Sequence, residues 1–232
     1  MIRLFVGYDA DEALAYSVFS FSVQRRASQP VAITPVMRTQ LRGVFDRPRG
    51  PMESTDFSMS RFMVPHLCDY RGWAIFADGD MLCRADINEL WKLRDNRYAV
   101  QVVKHDHHDT NPTKFLGKQQ TNYAKKNWSS VMLLNNEKCK SLTPAYVNSA
   151  SGLELHQFHW LDGNEIGELP YEWNHLVRAK PLCSEAKIVH YTLGMPFFHG
   201  YNECEFAGEW RDERQAMMSY RSLAHETQIP SR

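Results

Sequence analysis

An apolar run ends in two carboxylates in the stretch Trp73-Ala74-Ile75-Phe76-Ala77-Asp78-Gly79-Asp80-Met81-Leu82. Short apolar runs of this kind are typical of strands buried in a sheet. In α/β sheets ligands bind where strands end, and residues two apart in an extended chain point the same way. We therefore predict that Asp78 and Asp80 hold one hard divalent cation and the diphosphate that it bridges. Gly79 would let a nucleotide approach the backbone.

The other interpretation of this stretch is a plain acidic turn. Pairs of acids separated by one residue are frequent by chance, and Asp9-Ala10-Asp11 is a second example in this chain. The position directly after an apolar strand favours the metal site.

Similar apolar runs recur along the chain and alternate with segments of helical periodicity. The expected strands are 2–7, 31–37, 72–77, 98–103, 130–135, 166–170 and 187–191, and the expected helices are 9–27, 58–68, 153–160 and 209–224. Residues 39–56, rich in Arg, Pro and Gly, are expected to form a mobile surface loop. The order strand, helix, strand at the start is a βαβ unit. Without repeats or linkers, residues 1–232 are predicted to form one α/β domain.

The charge balance excludes some classes of partner. The 232 residues include 27 Lys plus Arg and 27 Asp plus Glu, so the formal net charge is +0. This argues against a protein that binds nucleic acid through bulk charge and against a polybasic membrane binder. No apolar run reaches transmembrane length, and an acid as early as Asp9 argues against a signal peptide.

The cysteines point to a reducing compartment. The five of them are odd in number and widely spaced, with no C-x-x-C pair. This pattern argues against a disulfide framework or a zinc knuckle, so we expect a cytoplasmic protein.

A histidine supplies a third candidate ligand. His190 ends an apolar strand and is followed by Tyr191-Thr192-Leu193-Gly194. A neutral imidazole can complete an oxygen-rich site and suits Mn²⁺ as well as Mg²⁺. Gly194 would let backbone amides meet a phosphate. The other interpretation of His190 is a hydrogen-bonded histidine of the core.

Taken in order, these segments resemble the GT-A glycosyltransferases. The resemblance is closest to the retaining, glycogenin-like family 8 and to small related enzymes of bacteria and large algal viruses, and it extends to about Phe198. The segments that carry it are 2–9, 60–65, 73–82, 127–135, 155–158, 169–174 and 188–194. It implies a GT-A fold, with a mixed, mostly parallel central sheet flanked by helices. The nucleotide would be bound by about 1–82 and the sugar and acceptor by about 98–200.

The resemblance implies roles for particular residues. The expected metal ligands are Asp78, Asp80 and His190, with Mn²⁺ or Mg²⁺ as the ion. The expected donor-binding residues are Gly7, Tyr8, Asp9, Arg61, Asp78, Gly79, Asp80 and Gly194, and the expected catalytic residues are Gln157, His156 and Arg61. Tyr8 would stack on uracil and Asp9 would accept from the base or ribose. Gln157 would lie near the anomeric carbon, and Arg61 would clamp phosphate or sugar oxygens.

The implied reaction moves a hexosyl or deoxyhexosyl group from a UDP-sugar to an acceptor hydroxyl on a glycan or related molecule, with retention. An inverting enzyme would need a base, for which His156 and the acids of 105–109 are candidates. One alternative is a sugar-1-phosphate nucleotidyltransferase, although the stretch Tyr8-Asp9-Ala10-Asp11 lacks the Gly-rich basic loop expected there. The other alternative is a non-catalytic nucleotide-sugar-binding protein.

Three departures from family 8 stand out. His156 stands where the family often has Asp, and Trp128-Ser129-Ser130 replaces the usual Asn-Ala-Gly. The Lys usually found shortly after the metal histidine is absent. Arg61, Lys187 or an arginine of 42–49 is therefore expected to balance the diphosphate.

Overall fold

The computed structural model describes residues 1–50, 53–106 and 123–223. Two sheets lie within these ranges. The strands are β1 (Ile2–Gly7), β2 (Val31–Val36), β3 (Trp73–Ala77), β4 (Met81–Cys83), β5 (Val100–Val102), β6 (Val131–Asn135), β7 (Ile166–Glu168), β8 (His175–Leu176) and β9 (Ile188–His190). The larger sheet has the order β2-β1-β3-β6-β5-β7, and the smaller one has the order β4-β9-β8.

The larger sheet is mostly parallel. β1 pairs in parallel with β2 and β3, and β5 pairs in parallel with β7, whereas β6 runs antiparallel to both β3 and β5. Its strands are apolar on both faces, as expected for a sheet covered on both sides. In β3, Phe76 joins the core on one face, while Ile75 and Ala77 join the core on the other.

Helices and short 3-10 turns flank the sheets. The helices are α1 (Ala13–Arg26), α2 (Val64–Leu67), α3 (Ile87–Lys92), α4 (Pro144–Ser149), α5 (Gly152–His156) and α6 (Ala207–Leu223). α1 packs against α6, where the buried carboxylate of Glu213 accepts from Arg26 at 2.7 Å. This pair joins the first helix of the chain to the last.

The expected α/β class and the mixed, mostly parallel sheet are confirmed, and each expected strand has a counterpart. The helix expected over 9–27 begins with a 3-10 turn at Ala10–Glu12, and the segment 58–68 forms a 3-10 turn at Ser60–Met63 followed by α2. The helix expected over 153–160 ends as α5 at His156, because Phe158 has a positive φ of 56°. β4 and β8 were not predicted from the sequence.

The arginine-rich loop is anchored where it meets α4. The amide oxygen of Asn148 accepts from the backbone N–H groups of Asp46 and Arg47, and Arg47 donates to the carbonyls of Val147 and Ala150. These bonds hold the middle of the loop against the body of the protein.

Two further findings concern the cysteines and the search for a membrane-spanning helix. All five cysteines lie in the described ranges and are free thiols. No helix within those ranges is long and apolar enough to cross a membrane.

Candidate functional site

The two carboxylates flank a tight turn at the end of β3. Asp78 follows β3 and Asp80 precedes β4, and both are buried, with 8% and 7% of their surface exposed. A Cβ on Gly79 would lie 2.4 Å from the carbonyl oxygen of Gly7. The turn therefore needs glycine, because a side chain would collide with the backbone at the end of β1.

The small sheet brings His190 to this turn. β4 and β9 pair antiparallel with Met81 opposite His190, and the N–H of Tyr191 donates to the carbonyl of Asp80 at 3.0 Å. The His190 Nε2 lies 3.3 Å from a carboxylate oxygen of Asp80 and 3.9 Å from one of Asp78. One ligand atom from each of the three residues lies within 4.8 Å of the others.

These three side chains fit a divalent cation. Carboxylate oxygens suit Mg²⁺ and Mn²⁺, and an imidazole nitrogen is compatible with Mn²⁺. The Nδ1 of His190 lies 3.1 Å from the amide oxygen of Asn174, so its Nε2 is the nitrogen that faces the carboxylates. No other cluster of three potential metal ligands occurs within the described ranges. The structure therefore brings together the three residues named as metal ligands from the sequence, and their role as ligands stays a prediction.

Arg61 lies against the first of these carboxylates. Its guanidinium contacts a carboxylate oxygen of Asp78 at 2.8 Å and donates to the carbonyls of Ser58 and Ser129 at 3.1 and 3.0 Å. Only 6% of the residue is exposed. The role of Arg61 as a clamp on the donor stays a prediction, since the contacts in the structure are with the protein itself.

The nucleotide-binding candidates lie beside the turn. Gly7 is in contact with Gly79, and a Cβ on Gly7 would lie 2.3 Å from the ring of Phe57. The ring of Tyr8 meets that of Tyr16 edge to face, with 5.3 Å between centroids. The end of β1 therefore lies next to the carboxylate turn, as the resemblance implies.

Asp9 is nearly buried and already bonded. One of its carboxylate oxygens accepts from the N–H of Asp11 and the other from the N–H of Asp56, both at 2.9 Å. The guanidinium of Arg49 lies 4.0 Å away. Asp9 therefore ties β1 to the segment that leads into Arg61, and each oxygen keeps a second lone pair that can accept from a ligand.

Gly194 packs tightly against an aromatic ring. A Cβ there would lie 2.8 Å from the ring of Tyr201, and its N–H donates to the carbonyl of Tyr191 at 2.9 Å. Because the N–H of Gly194 already donates to a carbonyl, a phosphate at this loop would have to accept hydrogen bonds from neighbouring amides.

The candidate replacements for the absent lysine lie in different places. Lys187 precedes β9, at the opposite end from His190, and its ammonium pairs with Glu89 at 3.0 Å. Arg47 is bound to backbone carbonyls, whereas Arg49 pairs with Asp56 at 2.8 Å and approaches Asp9. Of these side chains, Arg49 lies nearest to the nucleotide-binding candidates.

The catalytic candidates His156 and Gln157 lie at the end of α5. The His156 Nδ1 lies 2.8 Å from the hydroxyl of Ser129, whose carbonyl accepts from Arg61. The backbone carbonyl of Gln157 accepts from the ammonium of Lys125 at 2.8 Å. Through Ser129, His156 is linked to the arginine that holds Asp78.

Sequence reasoning missed Tyr123. Burial raises the pKa of Tyr123 to about 12, and the charges of Arg61 and Asp78 act on it. Its ring centroid is 6.0 Å from that of His156. No motif marks this tyrosine in the sequence, because only the fold brings it beside His156. The acids considered as candidate bases lie in the segment 105–109, of which residues 107–109 are outside the described ranges.

The chain is similar to one characterised sequence across nearly its whole length. No family model matches it. It is 47% identical over 222 residues to Protein CDI of Arabidopsis thaliana, an alignment that covers 92% of this chain and 86% of that protein. The chain belongs to the Protein CDI family.

Solved structures extend the comparison to the fold of this CDI-family member. The bifunctional glycosyltransferase WbbM has a TM-score of 0.66 at 13% identity, over 96% of this chain and 51% of WbbM, so the chain spans about half of WbbM. The glycosyltransferase GlyE of Streptococcus pneumoniae has a TM-score of 0.60 at 13% identity, over 100% of this chain and 67% of GlyE. The galactosyltransferase LgtC, solved with donor and acceptor sugar analogues, has a TM-score of 0.59 at 12% identity, over 99% and 98%.

These similarities show that the CDI-family chain has the GT-A fold. The resemblance inferred from the sequence motifs is thereby confirmed for the fold. The three candidate metal ligands lie together within that fold, at the end of β3.

Proposed function

We propose that the chain is a metal-dependent glycosyltransferase that transfers a hexosyl or deoxyhexosyl group from a UDP-sugar to a hydroxyl of a glycan or related acceptor, with retention. The observation that carries the proposal is the cluster of Asp78, Asp80 and His190 at the end of β3 in a GT-A fold. A nucleoside diphosphate is the ligand that such a cluster and a neighbouring β1 end would hold together.

The cluster would hold Mn²⁺ or Mg²⁺, which supplies Lewis-acid stabilisation for the diphosphate that leaves the sugar. Asp78 and Asp80 present their carboxylates from a turn held by Gly79, and His190 presents Nε2. The guanidinium of Arg61 contacts Asp78 at 2.8 Å and holds this carboxylate in place beside the turn.

The remaining candidates would contact the nucleotide and the diphosphate of the donor. Gly7, Tyr8 and Asp9 would border the nucleotide, and Gly194 would form part of the phosphate loop. Arg49, close to Asp9, is a further candidate for the diphosphate.

Retention would need no strong side-chain base, because the departing phosphate can take the proton of the acceptor hydroxyl. Gln157 would lie near the anomeric carbon and support positive charge there. The hydrogen bond between the His156 Nδ1 and the Ser129 hydroxyl favours a positioning role for this histidine over that of a base.

Calorimetric titration with UDP, with and without Mn²⁺, tests the proposal. We expect binding that depends on the ion and is weakened at least about 10-fold in Asp80→Asn, because a ligand carboxylate is lost. The matched control is Asp212→Asn, an exposed acid of α6 that should leave binding unchanged. Binding that is independent of Mn²⁺ and unaffected in Asp80→Asn would contradict the metal site.

A second assay addresses the reaction. We expect UDP release from at least one member of a panel of UDP-sugars in the presence of an acceptor. Pyrophosphate release from UTP and a sugar phosphate would instead indicate a nucleotidyltransferase. Binding with no turnover on the panel would indicate a non-catalytic binder.

A further inference from the structure

A buried amide lies behind the metal-binding histidine. Asn174, with 0% of its surface exposed, ends a 3-10 turn just before β8. Its amide nitrogen donates to the hydroxyl of Ser130 at 2.9 Å and to the carbonyl of Asn127 at 3.2 Å, and its amide oxygen faces His190 Nδ1 at 3.1 Å. Every polar atom of this side chain therefore has a named partner.

The chemistry of these partners determines which way the amide points. The Ser130 hydroxyl donates to the carbonyl of Asn127 at 2.5 Å, so its proton is committed there and its lone pairs are left to accept. The carbonyl of Asn127 can only accept. The side of the Asn174 amide that faces these two oxygens must therefore be the NH₂ group, and the side that faces His190 must be the oxygen.

An oxygen in this position decides the tautomer of His190. A carbonyl oxygen cannot donate, so Nδ1 must carry the proton, and Nε2 of the neutral ring carries the lone pair. Nε2 is the atom that lies 3.3 Å from Asp80. A neutral imidazole binds a metal through its bare nitrogen, and the partner of its other nitrogen orients the ring.

We infer that Ser130 and Asn174 are positioning residues, which hold His190 in the tautomer and orientation that a metal ion requires. The inference rests on the proposed function as far as the ion is concerned. Ser130 also acts on the first carboxylate, because its carbonyl accepts from the N–H of Asp78 at 2.9 Å. The residue just before β6 thus holds two of the three candidate ligands in register.

Nitrogen NMR of the metal-free protein tests the tautomer directly. The ring nitrogens of His190, assigned by comparison with His190→Gln, are recorded at a pH high enough for one of them to be bare. We expect the proton on Nδ1 in the wild type and a mixture with the Nε2-protonated form in Asn174→Leu. A proton on Nε2 in the wild type would overturn the inference.

Affinity for Mn²⁺, measured with UDP present, tests the consequence. We expect Asn174→Leu to weaken the affinity about 10- to 100-fold and Ser130→Ala by less, since Asn174 keeps its bond to Asn127. The control is Asn136→Leu, a fully buried asparagine whose amide donates to the carbonyl of Arg71, away from the site.

The two proposals fail in different ways. If the wild type binds no divalent ion with UDP, the proposed function fails, while the NMR result still decides the tautomer. If the wild type binds Mn²⁺ but the Asn174 and Ser130 variants bind it equally well, the positioning role is wrong. Should Asn174→Leu fail to fold, Ser130→Ala and the wild-type spectrum carry the test.

Discussion

The guanidinium of Arg61 lies over the neighbouring rings of Phe57 and Phe76, with its central carbon 5.2 Å from each ring centroid. Its Nε donates to the carbonyl of Ser58, and one of its terminal nitrogens contacts both the carbonyl of Ser129 and the carboxylate of Asp78. A buried charge is stable only with a partner and a full set of hydrogen bonds. Arg61 therefore joins the segment before α2 to the carboxylate turn.

Replacing Arg61 by lysine tests this joining role. An ammonium on a flexible stem cannot reach Ser58, Ser129 and Asp78 together, so buried acceptors are left without donors. We expect Arg61→Lys to lower the free energy of unfolding by about 2 kcal/mol or more, measured by urea denaturation. Arg25→Lys is the control, because the Arg25 side chain is 52% exposed and its pair with Glu213 should contribute under about 1 kcal/mol. Equal stability of Arg61→Lys and the wild type would contradict this role.

The turn between β3 and β4 is the element that assembles the site. Gly79 lies against the end of β1. The backbone N–H of Asp78 donates to the carbonyl of Ser130, just before β6, and the carbonyl of Asp80 accepts from the N–H of Tyr191, just after β9. A displacement of this turn would therefore move the donor-binding candidates and the metal candidates apart.

Gly79→Ala is expected to displace the turn. Its Cβ would meet the carbonyl of Gly7, which is backbone and cannot rotate away. We expect a loss of about 1–3 kcal/mol in the free energy of unfolding and weaker Mn²⁺ binding with UDP.

Gly208→Ala serves as the comparison for this substitution. Gly208 lies in α6, and a Cβ there would meet no atom within 4 Å. Alanine should therefore raise the free energy of unfolding by about 0.5 kcal/mol through its higher helix propensity. A Gly79→Ala protein with wild-type stability and metal affinity would show that the turn tolerates a side chain.

Among the strands, the sequence predicted β1 and β3 but missed the short strands β4 and β8. Strands such as β1 and β3 are apolar over five or six residues, which is enough for a pattern. β4 and β8 have three and two residues, and they form because they pair with β9. β5, β7 and β9 also have three residues, but each lies within a longer stretch whose pattern predicted it, and no such pattern marks β4 or β8.

Across the whole molecule, burial suppresses the ionisation of several weak acids. Burial raises the pKa of the Cys83 and Cys139 thiols from 9.0 to about 12, and the pKa of the Tyr123 and Tyr171 hydroxyls to about 12. The two thiols lie in the cores on opposite faces of the larger sheet. They should resist thiol reagents, since the thiolate is the reactive form.

Stability should therefore fall in alkali. A group with a raised pKa in the folded state keeps its proton there while the unfolded chain loses it, so its contribution is complete below pH 9.0 and is lost as the pH rises toward 12. Each thiol should cost about 1.4 kcal/mol per pH unit in that window. Urea denaturation from pH 8 upward measures the slope.

The Cys83→Ala, Cys139→Ala double variant provides the reference for this slope. Its free energy of unfolding should fall less steeply between pH 9.0 and 12, whatever its stability at neutral pH. An equal slope in the two proteins, or rapid reaction of either thiol in the native state, would contradict the assignment.

The sequence by itself determined the α/β class, the order of the longer strands, the two acids after β3 and the histidine at the end of β9. These are local properties, because a strand's apolar pattern and the residue that follows it are contiguous in the chain. Only the tertiary structure decided that Arg61 pairs with Asp78, that Tyr123 lies beside His156, and that Asn174 is bonded to both Ser130 and His190. These contacts join residues 16 to 44 positions apart, and only folding brings such residues within contact distance of one another.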